Sequence, residues 1–317
     1  MTDQRYLVTG GAGFIGSHLT GHLLSQGHPV TVLDNFSSGT HDNLSGFEGD
    51  LRIVEGSITS ADDVAKAMEG VRGVFHLAAV PSVVRSVEAP VESHEHNVTG
   101  TVQVLDAARQ KGVRVVYAGS SSAYGDADAD LKSEDLREDP KSPYAATKLA
   151  GELYCRSFAE VYGMTVLVTR LFNVFGPRQV PDSPYSGVVA AYSLAVLRSN
   201  DGAKPRMDGD GMQSRDFTYV EDVARGCHLA MEAQVDPGCH VVNLACGGNH
   251  TIKELLDLLN QCAGTSVEPD YAPPRTGDVR HSTADIARAR SIIGFEPKVS
   301  FAEGLKRTFD WYRSTYS

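Results

Sequence analysis

The segment RYLVTGGAGFIGSHL, residues 5–19, constrains this chain more than any other. A β-branched run leads into a turn with Gly10, Gly13 and Gly16 at G-x-x-G-x-x-G spacing, and an apolar helical stretch follows from residue 14. A strand that turns tightly into a helix opens a βαβ unit, and such units build parallel sheets with both faces covered. Gly10 permits the tight turn, Gly13 lets backbone approach a pyrophosphate, and Gly16 allows close helix–sheet packing. Free N–H groups and the dipole at the helix start favour an anion there. A glycine pattern alone is only a turn; with a strand before it and a helix after it, it reads as a dinucleotide site. The next strand ends in VLDN, which places Asp34 at about the twenty-residue distance expected for a carboxylate on the adenosine ribose. That charge repels a 2′-phosphate, and Asn35 rather than an arginine follows, so NAD is favoured over NADP. GSI places Ser57 and Ile58 where an adenine contact is expected, with a serine instead of an acid.

The rest of the first half keeps alternating. LRIVEG, GVFHLA, VRVVYAGS and MTVLVTRLF read as strands, separated by helices over residues 61–68, 91–109 and 142–162. After Asn173 the regularity breaks at GPRQVPDSPYSG, a Pro- and Gly-rich loop that leaves the sheet. A helix is predicted over residues 188–198, PRMDGDGMQSRDF reads as a hairpin or turn, and TYVEDVARGCHLAMEA is helical. HVVNLA returns as a strand, and TIKELLDLLNQCAG carries a Thr cap and a Gly stop. The fold class is α/β: a Rossmann-type doubly wound parallel sheet with a smaller C-terminal α/β substrate lobe. Residues 1–173 form the NAD-binding domain, and residues 174–317 mainly the lobe, with segments near 218–250 returning to the sheet.

The chain of 317 residues has 29 Lys and Arg against 40 Asp and Glu, a net charge of −11. General affinity for nucleic acid or an anionic membrane is disfavoured, and an anionic ligand must be held by local cations. No signal peptide or membrane-length apolar run is present. Five cysteines without a C-x-x-C pair suit reduced thiols in the cytoplasm. No His/Cys cluster has metal-ligand spacing, and HEH at residues 94–96 reads as a solvated helix start.

SPYAATKLAGELY, residues 142–154, is a helix with Ser142 as cap and Pro143 in its first turn. Tyr144 and Lys148 leave one face of it, one turn apart. An isolated pair of this kind is most often a solvated helix face. Near a nicotinamide it is also an acid–base pair, because an adjacent ammonium stabilises a phenolate. Just before it, YAGSSSAYG places Ser120, Ser121 and Ser122 after a strand end, where ligands collect in open α/β sheets. A serine run by itself is common turn chemistry.

TGGAGFIGSHL, HLAA, NVTGT, SSSAYG, YAATK, RLFNVFGPRQ, SRDFTYVEDVA and GDVRHSTADI together resemble the extended short-chain dehydrogenase/reductases over essentially the whole chain. Within that family the chain is most similar to UDP-sugar 4-epimerases, especially the branch acting on UDP-N-acetylhexosamines. The resemblance implies Tyr144 and Lys148 as the catalytic pair, Ser120 as the active-site serine, and Ser121 and Ser122 lining the same pocket. It implies further coenzyme contacts from Phe14, Ile15, Leu77, Ala78, Ala79 and Asn97. Arg178, Arg215 and Arg280 carry guanidinium groups suited to phosphate; the resemblance gives Arg215 and Arg280 the pyrophosphate, whereas Arg178 more readily reads as a structural residue. It also implies Asn173 on the nucleotide or phosphate, Asp278 on the uridine ribose, and Tyr185 in the substrate site. In the implied mechanism Tyr144 takes the 4-hydroxyl proton while C4 gives hydride to NAD. The 4-keto sugar turns over, hydride returns to its other face, and NAD stays bound.

Two departures separate family branches. Dehydratases carry an Asp–Glu pair in the serine loop and UDP-glucuronate decarboxylases a Glu; Ser121 and Ser122 stand there in this chain. Ser282 falls where epimerases place either a bulky Tyr or a small residue, and a small one leaves room for a 2-acetamido group. Ser82, Arg85 and Ser86 are candidates to hydrogen-bond the sugar. The expected activity is interconversion of UDP-GlcNAc and UDP-GalNAc, with UDP-Glc and UDP-Gal as possible further substrates. The alternatives are a UDP-glucuronate 4-epimerase or decarboxylase, with Arg85 on the carboxylate, and a non-catalytic NAD-binding sensor. The resemblance also implies a homodimer formed by the helices over residues 91–109 and 142–162.

Overall fold

The computed structural model describes residues 4–126, 129, 131–181, 187–274 and 280–316. Strands β1 (Arg5–Thr9), β2 (Val30–Asp34), β3 (Leu51–Glu55), β4 (Val71–His76), β5 (Arg114–Ser120) and β6 (Thr165–Leu171), with a seventh strand Gly238–Leu244, form one sheet. Its order is Gly238–Leu244, β6, β5, β4, β1, β2, β3, and every neighbouring pair runs parallel. The chain winds outward from β1 to β3 and then crosses back to β4. The crevice at the carboxyl ends of β1 and β4 is therefore the topological switch point, where ligands of such sheets bind.

Alternation along each strand divides the core. Tyr6 and Val8 of β1 face one side with Leu19 and Leu23 of the helix Phe14–Ser25 and with Val223 and Cys227 of the helix Val220–Glu232. Leu7 faces the other side with Val104 of the helix Gly100–Lys111 and Cys155 of the helix Pro143–Tyr162. Both faces are dry, which explains why the strands read as nearly continuous apolar runs. A separate core joins Tyr192, Leu255, Leu259, Leu305 and Phe309 from the helices Val188–Leu197, Ile252–Ala263 and Phe301–Tyr316. Thr251 caps the second of these by accepting from Glu254 N, and Gly264 ends it at φ +69°.

Three sequence expectations need correction. The helix over residues 91–109 is α-helical at Pro90–His94, widens to a π-turn at Glu95–Thr99, and resumes as Gly100–Lys111. HEH therefore sits inside this run, with His94 exposed, and not at its start. PRMDGDGMQSRDF is not a hairpin. Arg206–Asp208 pairs in parallel with Asp270–Ala272, whereas Ser214–Arg215 lies between His250–Thr251 and His281–Ser282. The two halves of that segment belong to different small sheets because each finds its partner far along the chain. Among the described residues no helix is long and apolar enough to cross a membrane.

Candidate coenzyme and active site

The glycine loop is defined by what it cannot hold. Gly10 has φ +70°, and a Cβ there would lie 2.8 Å from the Ala78 backbone. At Gly16 a Cβ would lie 2.0 Å from the Gly10 carbonyl oxygen, so this glycine brings the helix against the loop rather than against the sheet. Gly13 is the N-cap, extended and without a side-chain cap, and Phe14 and Ile15 open the helix partly buried. This cradle of bare backbone at a helix start fits a pyrophosphate. Asp34 is buried; its Oδ2 accepts from Ala12 N and its Oδ1 from Phe36 N, each at 2.9 Å. It therefore braces the loop, and a carboxylate retains lone pairs for ribose hydroxyls. Asn35 is exposed and accepts from Ser37 N at 3.1 Å. Ser57 donates its N–H to Asp63 and shares its hydroxyl with Thr59, while Ile58 is buried.

The facing wall is the segment after β4. Leu77 N donates to Thr9 O and Ala78 N to Thr9 Oγ1, each at 3.2 Å, and Ala79 follows partly exposed. Asn97 is buried with its amide fully engaged: Oδ1 accepts from Val80 N at 2.7 Å, and Nδ2 donates to Val80 O and to Thr147 Oγ1. It holds this wall against the Tyr144 helix. His76 lies beneath, between Thr9 and Thr101 hydroxyls, and burial followed by the nearby Lys148 charge lowers its pKa to about 3.

Ser142 caps the helix Pro143–Tyr162 by accepting from Ala145 N. Tyr144 is partly buried; burial raises its phenol pKa, and the neighbouring Ser120 side chain opposes that rise. Ser120 in turn shares a proton with Ser122 at 2.8 Å, and Ser121 lies partly buried in the same turn. Lys148 is buried, its Nζ 4.5 Å from the centre of the Tyr117 ring, and burial lowers its pKa to about 8. Its charge thus rests on an aromatic face. Tyr117 donates to Lys148 O, a contact that needs Gly151: a Cβ there would lie 2.3 Å from the phenol oxygen.

Ser86 is fully buried; it donates to Val83 O and accepts from Tyr144 N at 2.9 Å, so it ties the first turn of the Tyr144 helix to the Ser82–Glu88 segment. Ser82 is also buried and caps its short helix through Arg85 N. Arg85 pairs with Glu92.

In the smaller lobe the Ser214–Arg215 and His281–Ser282 strands put Arg215 beside Ser282. Asn173, at φ +35°, donates to Asp216 O. Arg280 is exposed and pairs with Asp210 at 3.0 Å, a surface contact that exchanges readily for a phosphate. Arg178 lies elsewhere, in a groove of about 460 Å³ with His18, Phe47, Arg225 and Lys298, and donates to Ser17. Tyr185 and Asp278 lie outside the described residues. The organising residue that motif reading missed is Asp216, inside SRDF. Fully buried, it accepts from the backbone N–H groups of Cys246, Gly247 and Ala284 at 2.9–3.1 Å.

The profile of the NAD dependent epimerase/dehydratase family matches residues 6–245. A UDP-glucose 4-epimerase of Mycolicibacterium smegmatis is 39% identical over 316 residues, covering 98% of this chain and 99% of that protein. A UDP-N-acetyl-alpha-D-glucosaminuronate decarboxylase of Bacillus cytotoxicus is 32% identical over 321 residues, covering 98% of each. The solved UDP-N-acetylglucosamine 4-epimerase of Methanobrevibacter ruminantium M1, in complex with UDP-N-acetylmuramic acid, superposes with a TM-score of 0.92 at 37% identity, covering 99% of this chain and 100% of that one. The chain belongs to the NAD dependent epimerase/dehydratase family, and its coenzyme is NAD.

Proposed function

We propose that this protein is a 4-epimerase of UDP-hexoses, acting on UDP-GlcNAc/UDP-GalNAc and on UDP-Glc/UDP-Gal. The observation that carries the reading is the Tyr144 phenol with the Ser120 turn beside it, Lys148 one turn away on the same helix, and no carboxylate at Ser121 or Ser122. Gly10, Gly13, Gly16 and Asp34 would hold NAD, which when bound accepts and returns hydride at C4 and adds a positive ring. Tyr144 takes and returns the proton of the 4-hydroxyl. Burial alone keeps its phenol protonated; the Ser120 side chain opposes this, and a base working at neutral pH needs a positive charge near the phenol as well. Lys148, with a pKa near 8, remains a cation at neutral pH. Arg215 and Arg280 grip the pyrophosphate.

Decarboxylation and 4,6-dehydration are disfavoured because each needs an acid where Ser121 and Ser122 stand. The uronate reading would require Arg85 to exchange Glu92, a partly exposed ion pair, for the sugar carboxylate. Ser282, small and beside Arg215, supports the N-acetylated substrates. Purified protein incubated with the four UDP-sugars, without added NAD, is expected to interconvert both pairs; turnover of UDP-glucose alone would remove the acetamido claim. Ser282→Tyr should lose N-acetyl activity first, and equal loss on both pairs would count against its role in the pocket wall.

The described surface also supports a homodimer. Leu153, Tyr154, Val161 and Tyr162 on the Tyr144 helix and Val91 nearby are exposed apolar side chains. Leu153→Glu should yield monomers by sedimentation, and an unchanged dimer would exclude this face.

A further inference from the structure

Arg170, in β6, is fully buried beneath the active site. Its Nε donates to Glu152 Oε2 at 3.0 Å and its Nη2 to Glu152 Oε1 at 2.7 Å, a two-pronged pairing. Nη2 also donates to Glu138 Oε1 at 2.8 Å, and the guanidinium lies 4.6 Å from the centre of the Tyr124 ring. Arg156 closes the network by donating to both carboxylates.

Each contact leads to the catalytic groups. Glu152 lies two turns along the helix from Tyr144, in the same i, i+4 row as Lys148. Tyr124 ends the turn that begins at Ser120, and its hydroxyl donates to Asn243. Glu138 precedes Asp139, whose N–H donates to Ala123 O of that same turn. One guanidinium therefore touches the Tyr144 helix, the Ser120 turn and the segment that backs it. A buried ion pair gives little net stability against apolar substitutes, so stability is a weak reason for this arrangement.

We propose that Arg170 and Glu152 are positioning residues that hold the Tyr144 helix and the Ser120 turn in register, so that the Ser120 hydroxyl stays beside the Tyr144 phenol. The inference deepens the epimerase reading and rests on it. Loss of register moves the Ser120 hydroxyl away, and the phenol then loses the neighbour that opposes the effect of its burial.

The test uses the full chain with its bound NAD. Glu152→Gln/Arg170→Met removes both buried charges together, so neither is left unpaired. We expect a folded protein whose KM for UDP-glucose stays within about threefold while kcat falls about 10- to 100-fold. We also expect Tyr144 to titrate at higher pH, read as ultraviolet phenolate absorbance against the same variant carrying Tyr144→Phe. Wild-type kcat with unshifted titration would overturn the proposal, as would equal changes in kcat and KM with no shift. If the double variant does not fold, Glu138→Gln at the partly exposed end of the network decides: a smaller fall in kcat with the same shift supports positioning, and unchanged values overturn it. The titration needs no substrate, so it still reads the positioning claim if the wild type interconverts no UDP-sugar, a result that would fault the epimerase reading instead.

Discussion

Around Gly10 the chain builds its coenzyme site largely from neighbours in sequence, with bare backbone packed on backbone and Asp34 bracing the loop through Ala12 N. Around Asp216 the smaller lobe does the reverse. Two segments, each roughly thirty residues or more further along the chain, are drawn onto one carboxylate, which accepts from Cys246, Gly247 and Ala284 while the Asp216 N–H donates to Ser282 O. The first site depends on the absence of side chains, the second on the presence of a buried charge. One is intolerant of added volume, the other of lost hydrogen bonds.

Gly16→Val attacks the first site most severely, because its Cβ has 2.0 Å to the Gly10 carbonyl. The expected loss is ~3 kcal/mol in urea unfolding together with loss of retained NAD; a stable, NAD-loaded variant would end the close-approach argument.

Acid should weaken the coenzyme domain next. His18 and His228 have pKa values lowered to about 4 and His76 to about 3, burial being the leading cause in each. A depressed folded-state pKa means that the unfolded chain takes up protons first, so stability is present above about pH 6.5 and is lost as pH falls toward 4. For His76 alone the loss by pH 4.5 is on the order of 2 kcal/mol. Unfolding free energies that stay flat across this window would contradict the neutral, buried assignment.

The mildest change separates the two regions. Asp216→Asn leaves one acceptor oxygen for three N–H donors, and KM for UDP-sugars should rise roughly tenfold while NAD content is unchanged. Loss of NAD in this variant would show that the regions are not independent.

This contrast also explains what the sequence made legible. Strand–helix alternation and the glycine spacing are local patterns, so the parallel sheet and the coenzyme loop could be read directly from them. The nearness of Tyr144, Lys148 and Ser120 was legible because the Ser120 turn and the Tyr144 helix follow one another in the chain. The contact of Ser86 with Tyr144 N was not legible, because nothing local in the sequence shows it. Arg170, Glu152 and Asp216 were passed over inside quoted motifs, since their partners come from other segments or from a different strand. The PRMDGDGMQSRDF segment turns as expected at Gly209–Asp210, but its hairpin reading failed because its pairing partners are distant.

The most direct test of the account is interconversion of UDP-galactose and UDP-glucose by the purified protein in D2O, followed by NMR at the sugar C4 position. Epimerisation through Tyr144 and a retained coenzyme predicts product that keeps protium at C4, with activity abolished in Tyr144→Phe. Deuterium at C4, or full activity in that variant, would contradict it.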